Sequence, residues 1–137
     1  MVATPIAAWW LIGDQTFTGG RREHLDYMYS APSISGRTTA TAGVIALVAV
    51  AAAIAGLSVA ARRHLVDPRG LGVVALLMLA GVLLAGVGRI VTAGVVGANI
   101  GGGLAIFFGA PTVVALMVCA ALRARWILRH PVGVAPQ

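Results

Sequence analysis

Three apolar runs, residues 40–61, 71–94 and 102–122, hold no carboxylate and no histidine, and only one arginine, Arg89, falls within them. A helix rising 1.5 Å per residue crosses a hydrocarbon core of about 30 Å in about 20 residues, so each run is long enough to span. In a chain of 137 residues, little is left over to hide three such runs from water. The sequence therefore predicts an all-α membrane protein. Its three transmembrane helices, near 39–61, 71–94 and 102–124, form an antiparallel up-down bundle preceded by a short N-terminal interfacial segment.

The charges fit that reading. There are ten arginines, no lysine and four acidic residues, giving a formal net charge of +6. In a soluble domain such a surplus points to nucleic acid. Here the charges of residues 1–37 cancel, and the surplus flanks the runs, at Arg62, Arg63 and Arg69 and at Arg123, Arg125 and Arg129. Arginine in such places sets orientation and meets anionic lipid. The expected partners are thus anionic lipids and other membrane subunits, with no nucleic acid. Arg62, Arg63, Arg123 and Arg125, with Arg89, are the candidates for pairing with a lipid or partner. Positive charge favours the cytoplasmic side, which places residues 62–70 and the C-terminus inside and the N-terminus outside. Arginine without lysine, beside abundant Ala, Gly and Val, suggests a GC-rich bacterial source and the cytoplasmic (inner) membrane.

Residues 1–37 read as an extracytoplasmic segment, 38–126 as the transmembrane domain and 127–137 as a cytoplasmic tail. Residues 1–13 are apolar but too short to span and read as a short interfacial helix or a half-inserted segment; without a basic start they do not resemble a secretory signal. Trp9 and Trp10, and Trp126 at the far end, are expected as interfacial anchors, since indole rings favour the headgroup layer. Residues 14–36 form a turn-rich loop with at most one helical turn over 21–29. Thr38 or Thr39 is expected to cap the first span. Asp67, Pro68 and Gly70 occupy positions one, two and four of a type I turn between the first two spans.

Reactive chemistry is hard to place. Haem needs an axial His, Met or Cys inside the bundle, yet His24, His64 and His130 all lie outside the runs. Their scatter also lacks a metal-site spacing. Proton pathways need an acid or base at depth. Arg89 lies 18 residues beyond Leu71, or ~27 Å along the axis, which brings it to the interface where it can snorkel. Cys119 stands alone within the third run, a small apolar packing residue. The sequence predicts neither an enzyme nor a cofactor nor a metal site.

The positive signal is small residues at four-residue spacing, which let backbones approach closely. Gly97, Gly101, Ala105 and Gly109 form one series, Ala52, Gly56 and Ala60 a second, and Gly81 and Ala85 a third. Either the three spans or a partner can fill these faces. Pro111 removes the donor for the Phe107 carbonyl and is expected to kink the third span. The predicted function is a structural or accessory subunit of a larger membrane complex, respiratory or cell-envelope. The alternative is a small oligomeric transporter or channel, with Asn99 in the pore.

Overall fold

Each long helix begins where a side-chain oxygen can accept from a free amide of the first turn. The computed structural model describes residues 2–16, 25–31, 33–96 and 99–130. Helix α1 runs Ala3–Ile12, α2 Gly36–Arg62 and α3 Pro68–Val91. The last helix is continuous over Ile100–Arg129. It comprises α4 (Ile100–Leu104), a π-helical turn (Ala105–Gly109) and α5 (Ala110–Arg129). Three helices are long and apolar enough to cross a membrane. The protein is an all-α, multi-pass membrane protein, as its sequence predicts.

The helix ends differ in detail from expectation. Ser35, not Thr38 or Thr39, caps α2: its Oγ accepts from the Thr38 amide at 3.2 Å. Gly36 and Arg37 can take helical dihedrals once Ser35 supplies the cap, so the helix starts before the threonines. Asp67 caps α3, its carboxylate accepting from the Arg69 amide at 2.8 Å. The expected type I turn is thus the first turn of α3, with Pro68 in the position that needs no donor. Arg62 ends α2 with a double closure, His64 N to Ala61 O at 3.1 Å and Leu65 N to Ala60 O at 2.9 Å. His64 stands at φ 55°, the left-handed site where glycine is usual.

Hydroxyls along the spans bond within their own helix. Ser58 Oγ donates to Ile54 O and Thr112 Oγ1 to Phe108 O, both at 2.7 Å. That leaves no free hydroxyl to face lipid at those positions. Just before Pro111, where a kink is expected, the helix makes a π-helical turn. Such a turn reaches five residues back rather than four. It lets the chain pass a proline without ending the helix.

Packing is arranged around the shortest helix. α1 lies against both α2 and α3, whereas α2 and α3 barely touch each other, and α5 packs on α3. Its ten residues, ~15 Å of rise, reach through about half of a ~30 Å core. The segment expected as an interfacial helix or a half-inserted one is a wedge between two spans. The register follows from close contacts. Thr4 and Pro5 meet Gly81, Trp9 meets Gly88, and Trp10 meets Gly43. α5 passes back along α3, with Gly109 at Val87 and Arg123 at Gly72.

Among the described residues the buried apolar positions are seven alanines and Val113, and no large side chain is fully buried. Large residues such as Phe107, 70% exposed, and Leu84 point outward instead. The helices meet through small residues and turn their bulk toward the surroundings, as in lipid, where close van der Waals contact rather than burial drives association.

Residues on the loops close the end of the molecule that holds the α3–α4 connection. β1 (Leu25–Asp26) pairs antiparallel with β2 (Val95–Val96), Leu25 opposite Val96. This short pair replaces the helical turn expected there for Leu25 and Asp26; residues 17–24 lie outside the described part. It also supplies backbone partners to a connection that carries no charge.

The His64 site gives a direct test. His64→Gly removes the left-handed penalty, about 1 kcal/mol in a non-glycine residue. The variant should melt a few degrees higher in detergent, while an equal or lower melting temperature would show that the closure of α2 is relaxed.

Candidate functional site

Adjacent residues on a helix point ~100° apart, so Trp9 and Trp10 can face two neighbours at once. Glycine on each neighbour makes room for them. A Cβ built at Gly43 would overlap the Trp10 ring, and one at Gly88 would lie 2.5 Å from Trp9 Cζ3. The tryptophans expected as interfacial anchors are half-buried against α2 and α3.

Arg89 completes this junction. Its Nε donates to the Trp9 carbonyl at 2.7 Å, and its guanidinium lies 4.4 Å from the Trp9 ring centroid. Trp9 O is one of the last carbonyls of α1, which have no partner inside the helix. One side chain thus satisfies the end of α1, stacks on its aromatic ring and ties it to α3. A hydrogen bond from a charged donor contributes about 1.5–3 kcal/mol and the stacking about 1 kcal/mol. Asp14 stands near enough to interact electrostatically with Arg89, and its Oδ1 accepts from Thr16 Oγ1 at 2.7 Å. The snorkelling arginine of the sequence reading is held within the chain.

Beside this junction lies a groove of about 900 Å³ between the first turns of α2 and the end of α3. Pro5, Ile6, Trp9 and Trp10 form one wall, Thr38 and Ala42 another, and Leu84 and Arg89 a third. Among the described residues the lining is mostly apolar, with Arg89 and Asp14 as its charged groups. A smaller cavity of about 290 Å³ lies deeper between α2 and α3, bordered by Ala3, Ile54, Val74 and Met78.

The other predicted residues divide. Gly81 and Ala85 pack internally, Gly81 under Thr4 and Pro5 and Ala85 only 2% exposed. Gly109 seats Val87, half-buried Ala105 lies one turn before it, and Gly101 meets Ile90 and Asn99 at 3.9 Å. Gly97 lies outside the described residues. The α2 series behaves differently. Gly56 has nothing near its Cβ position, Ala52 is exposed and Ala60 half-buried. This face is open in the monomer.

At the opposite end, Arg123 Nε donates to Arg69 O at 3.4 Å and Arg69 lies over the Trp126 ring. Trp126 also stacks on His130, with centroids 5.0 Å apart. Arg62, Arg63 and Arg125 are exposed. Near the strand pair, Asn99 Oδ1 accepts from the Gly102 amide at 2.8 Å and its Nδ2 donates to Ala93 O at 3.2 Å. Its backbone amide also donates to Asp26 Oδ2 at 3.3 Å. Asn99 caps α4.

Gly43, Gly88 and the small residues of α1 are the site positions that sequence reasoning missed. The one available signal was the Trp9–Trp10 pair, which needs two receiving surfaces. No family model matches the chain, and no curated protein or solved structure matches it either.

Gly43→Leu should force Trp10 off α2, with a loss of about 1–3 kcal/mol typical of overpacking. Thermal unfolding with tryptophan fluorescence should show a lower midpoint and a red-shifted indole emission. Unchanged emission would mean that Trp10 does not rest on Gly43.

Proposed function

We propose that this chain is a small accessory subunit of a larger membrane complex, acting through shape and lipid rather than through chemistry of its own. The observation that carries the reading is the isolation of α2. It rests on the molecule through α1, and its most apolar window is only 6% buried, against 17% for α3. A helix this open, with Ala52 and Gly56 facing outward, is suited to receive the backbone of another subunit. Respiratory and cell-envelope complexes are the hosts such a part fits.

The orientation proposed is N-terminus outside and C-terminus in the cytoplasm, in the inner membrane of a bacterium. Its support is the gathering of charge at one end. Arg69 touches Arg123, so the α2–α3 turn and the end of α5 share a side that also carries Arg62, Arg63 and Arg125. Anionic headgroups and the positive-inside tendency both act there. The strand pair of Leu25–Asp26 and Val95–Val96 then lies over the outer surface.

A small oligomeric transporter or channel is the second reading. The π-helical turn at Ala105–Gly109 favours it, because such turns recur at functional sites. The bonding of Asn99 weighs against it, since its amide is engaged on both sides.

Gly56→Leu separates the two. It should leave the isolated protein's stability within about 0.5 kcal/mol and abolish recovery of partner subunits in a mild-detergent pull-down. Recovery of the wild-type chain alone, with substrate-specific flux in liposomes, would replace the accessory reading by the transport one.

A further inference from the structure

We propose that the groove bordered by α1, α2 and the end of α3 is a phospholipid site, with the lipid phosphate at Arg89 and one acyl chain running alongside α1 toward the cavity at its N-terminus. The inference holds whether or not the chain has a protein partner.

Three observations carry it. The first is the gap itself. α1 keeps α2 and α3 apart, but it is too short to fill the space beneath its own N-terminus. A space bordered by Ala3, Ile54, Val74 and Met78 is apolar and can admit neither water nor charge cheaply. In a bilayer the available filler is an acyl chain.

The second is charge complementarity. Among the described residues the upper groove is mostly apolar, and Arg89 and Asp14 carry its charges. Arg89 spends its Nε on Trp9 O, so its two terminal nitrogens remain to form the fork that matches a phosphate. The face of Trp9 holds the guanidinium from one side, which keeps it aimed rather than free to swing.

The third is depth. Arg89 lies 21 residues beyond Pro68 on α3, ~32 Å along the axis, which is about the thickness of the hydrocarbon core. It therefore stands at headgroup level. Met78, bordering the deeper cavity, lies 11 residues below Arg89, or ~16 Å, close to half of a ~30 Å core. Headgroup cation and tail cavity are thus one leaflet apart. A single lipid of that leaflet satisfies both.

Occupancy also has a structural consequence. The lipid would supply α2 with the contact along α3 that the polypeptide does not provide, so loss of lipid should loosen α2 more than the other helices.

The test is lipid retention by the full chain, purified in mild detergent from membranes and analysed by native mass spectrometry. The wild type should carry one phospholipid per chain. Arg89→Ala should lower occupancy by roughly tenfold, the effect of losing a charge-assisted contact. Because Arg89 also holds α1, Ala42→Phe is the second variant. Ala42 is exposed and lines the groove, so the new ring fills the lipid's place without touching the α1 seat at Gly43. Ala42→Phe should keep the helical circular dichroism of the wild type and lose the lipid. A photo-crosslinking residue at position 42 should give a lipid adduct. Wild-type chain without bound lipid, undiminished lipid in Ala42→Phe, or an adduct to a protein or a second copy at position 42 would each overturn the proposal.

Discussion

The fold depends on the close approach of α1 to two longer helices, which is possible because Gly43 and Gly88 leave room for Trp10 and Trp9. Lipid tails are as apolar as leucine, so a membrane offers these helices no hydrophobic gain from meeting. What remains is dispersion between well-fitted surfaces, which weakens quickly with any gap. Glycine opposite tryptophan gives a large flat surface a partner at contact distance. The alanines at Ala7, Ala8, Ala46, Ala80 and Ala85 extend the same fit along the wedge. Arg89 adds a polar tie, and it does so where the last carbonyls of α1 would otherwise lack a donor.

From that constraint follow the other features. With α1 between them, α2 and α3 cannot pack on one another, so α2 is left with one neighbour and an open outer face. α3 becomes the central element, with α1 on one side and α5 on another. The short strand pair then fastens the N-terminal segment to the α3–α4 connection, assisted by Asp26 bonding Asn99 and by Tyr27 covering Gly94. The N-terminal segment is thereby held twice, once by its helix and once by its strand.

Residues legible from the sequence were those whose behaviour is set locally. Apolar runs of about 20 residues define spans by themselves, and Pro111 removes a helical donor whatever surrounds it. Asp67 and Pro68 mark the start of α3 by their own chemistry. What the sequence left hidden depends on pairs far apart in the chain. Eighteen glycines are present, and nothing local distinguishes Gly43 and Gly88, which seat rings, from Gly56, which seats nothing. α1 is apolar and short, and those properties suit an interfacial helix as well as a wedge. The pairing of Leu25 with Val96 spans some 70 residues of sequence, too far for turn chemistry to report. Ser35 caps α2 by reaching the Thr38 amide, so the helix begins ahead of the edge of the apolar run.

The wedge is tested most directly by cysteine crosslinking in native membranes, in a Cys119→Ala background. Trp10–Gly43 and Trp9–Gly88 fix the register, so Ala46 on α2 and Ala85 on α3, each one turn deeper, face α1 at one level. A disulfide requires Cα atoms within about 7 Å, and an intervening helix of ~10 Å diameter forbids that. The pair Ala46→Cys/Ala85→Cys should stay unlinked under mild oxidation, while Trp10→Cys/Gly43→Cys should link readily. Rapid closure of the first pair, with none of the second, would show α2 packed directly on α3 and would contradict the account.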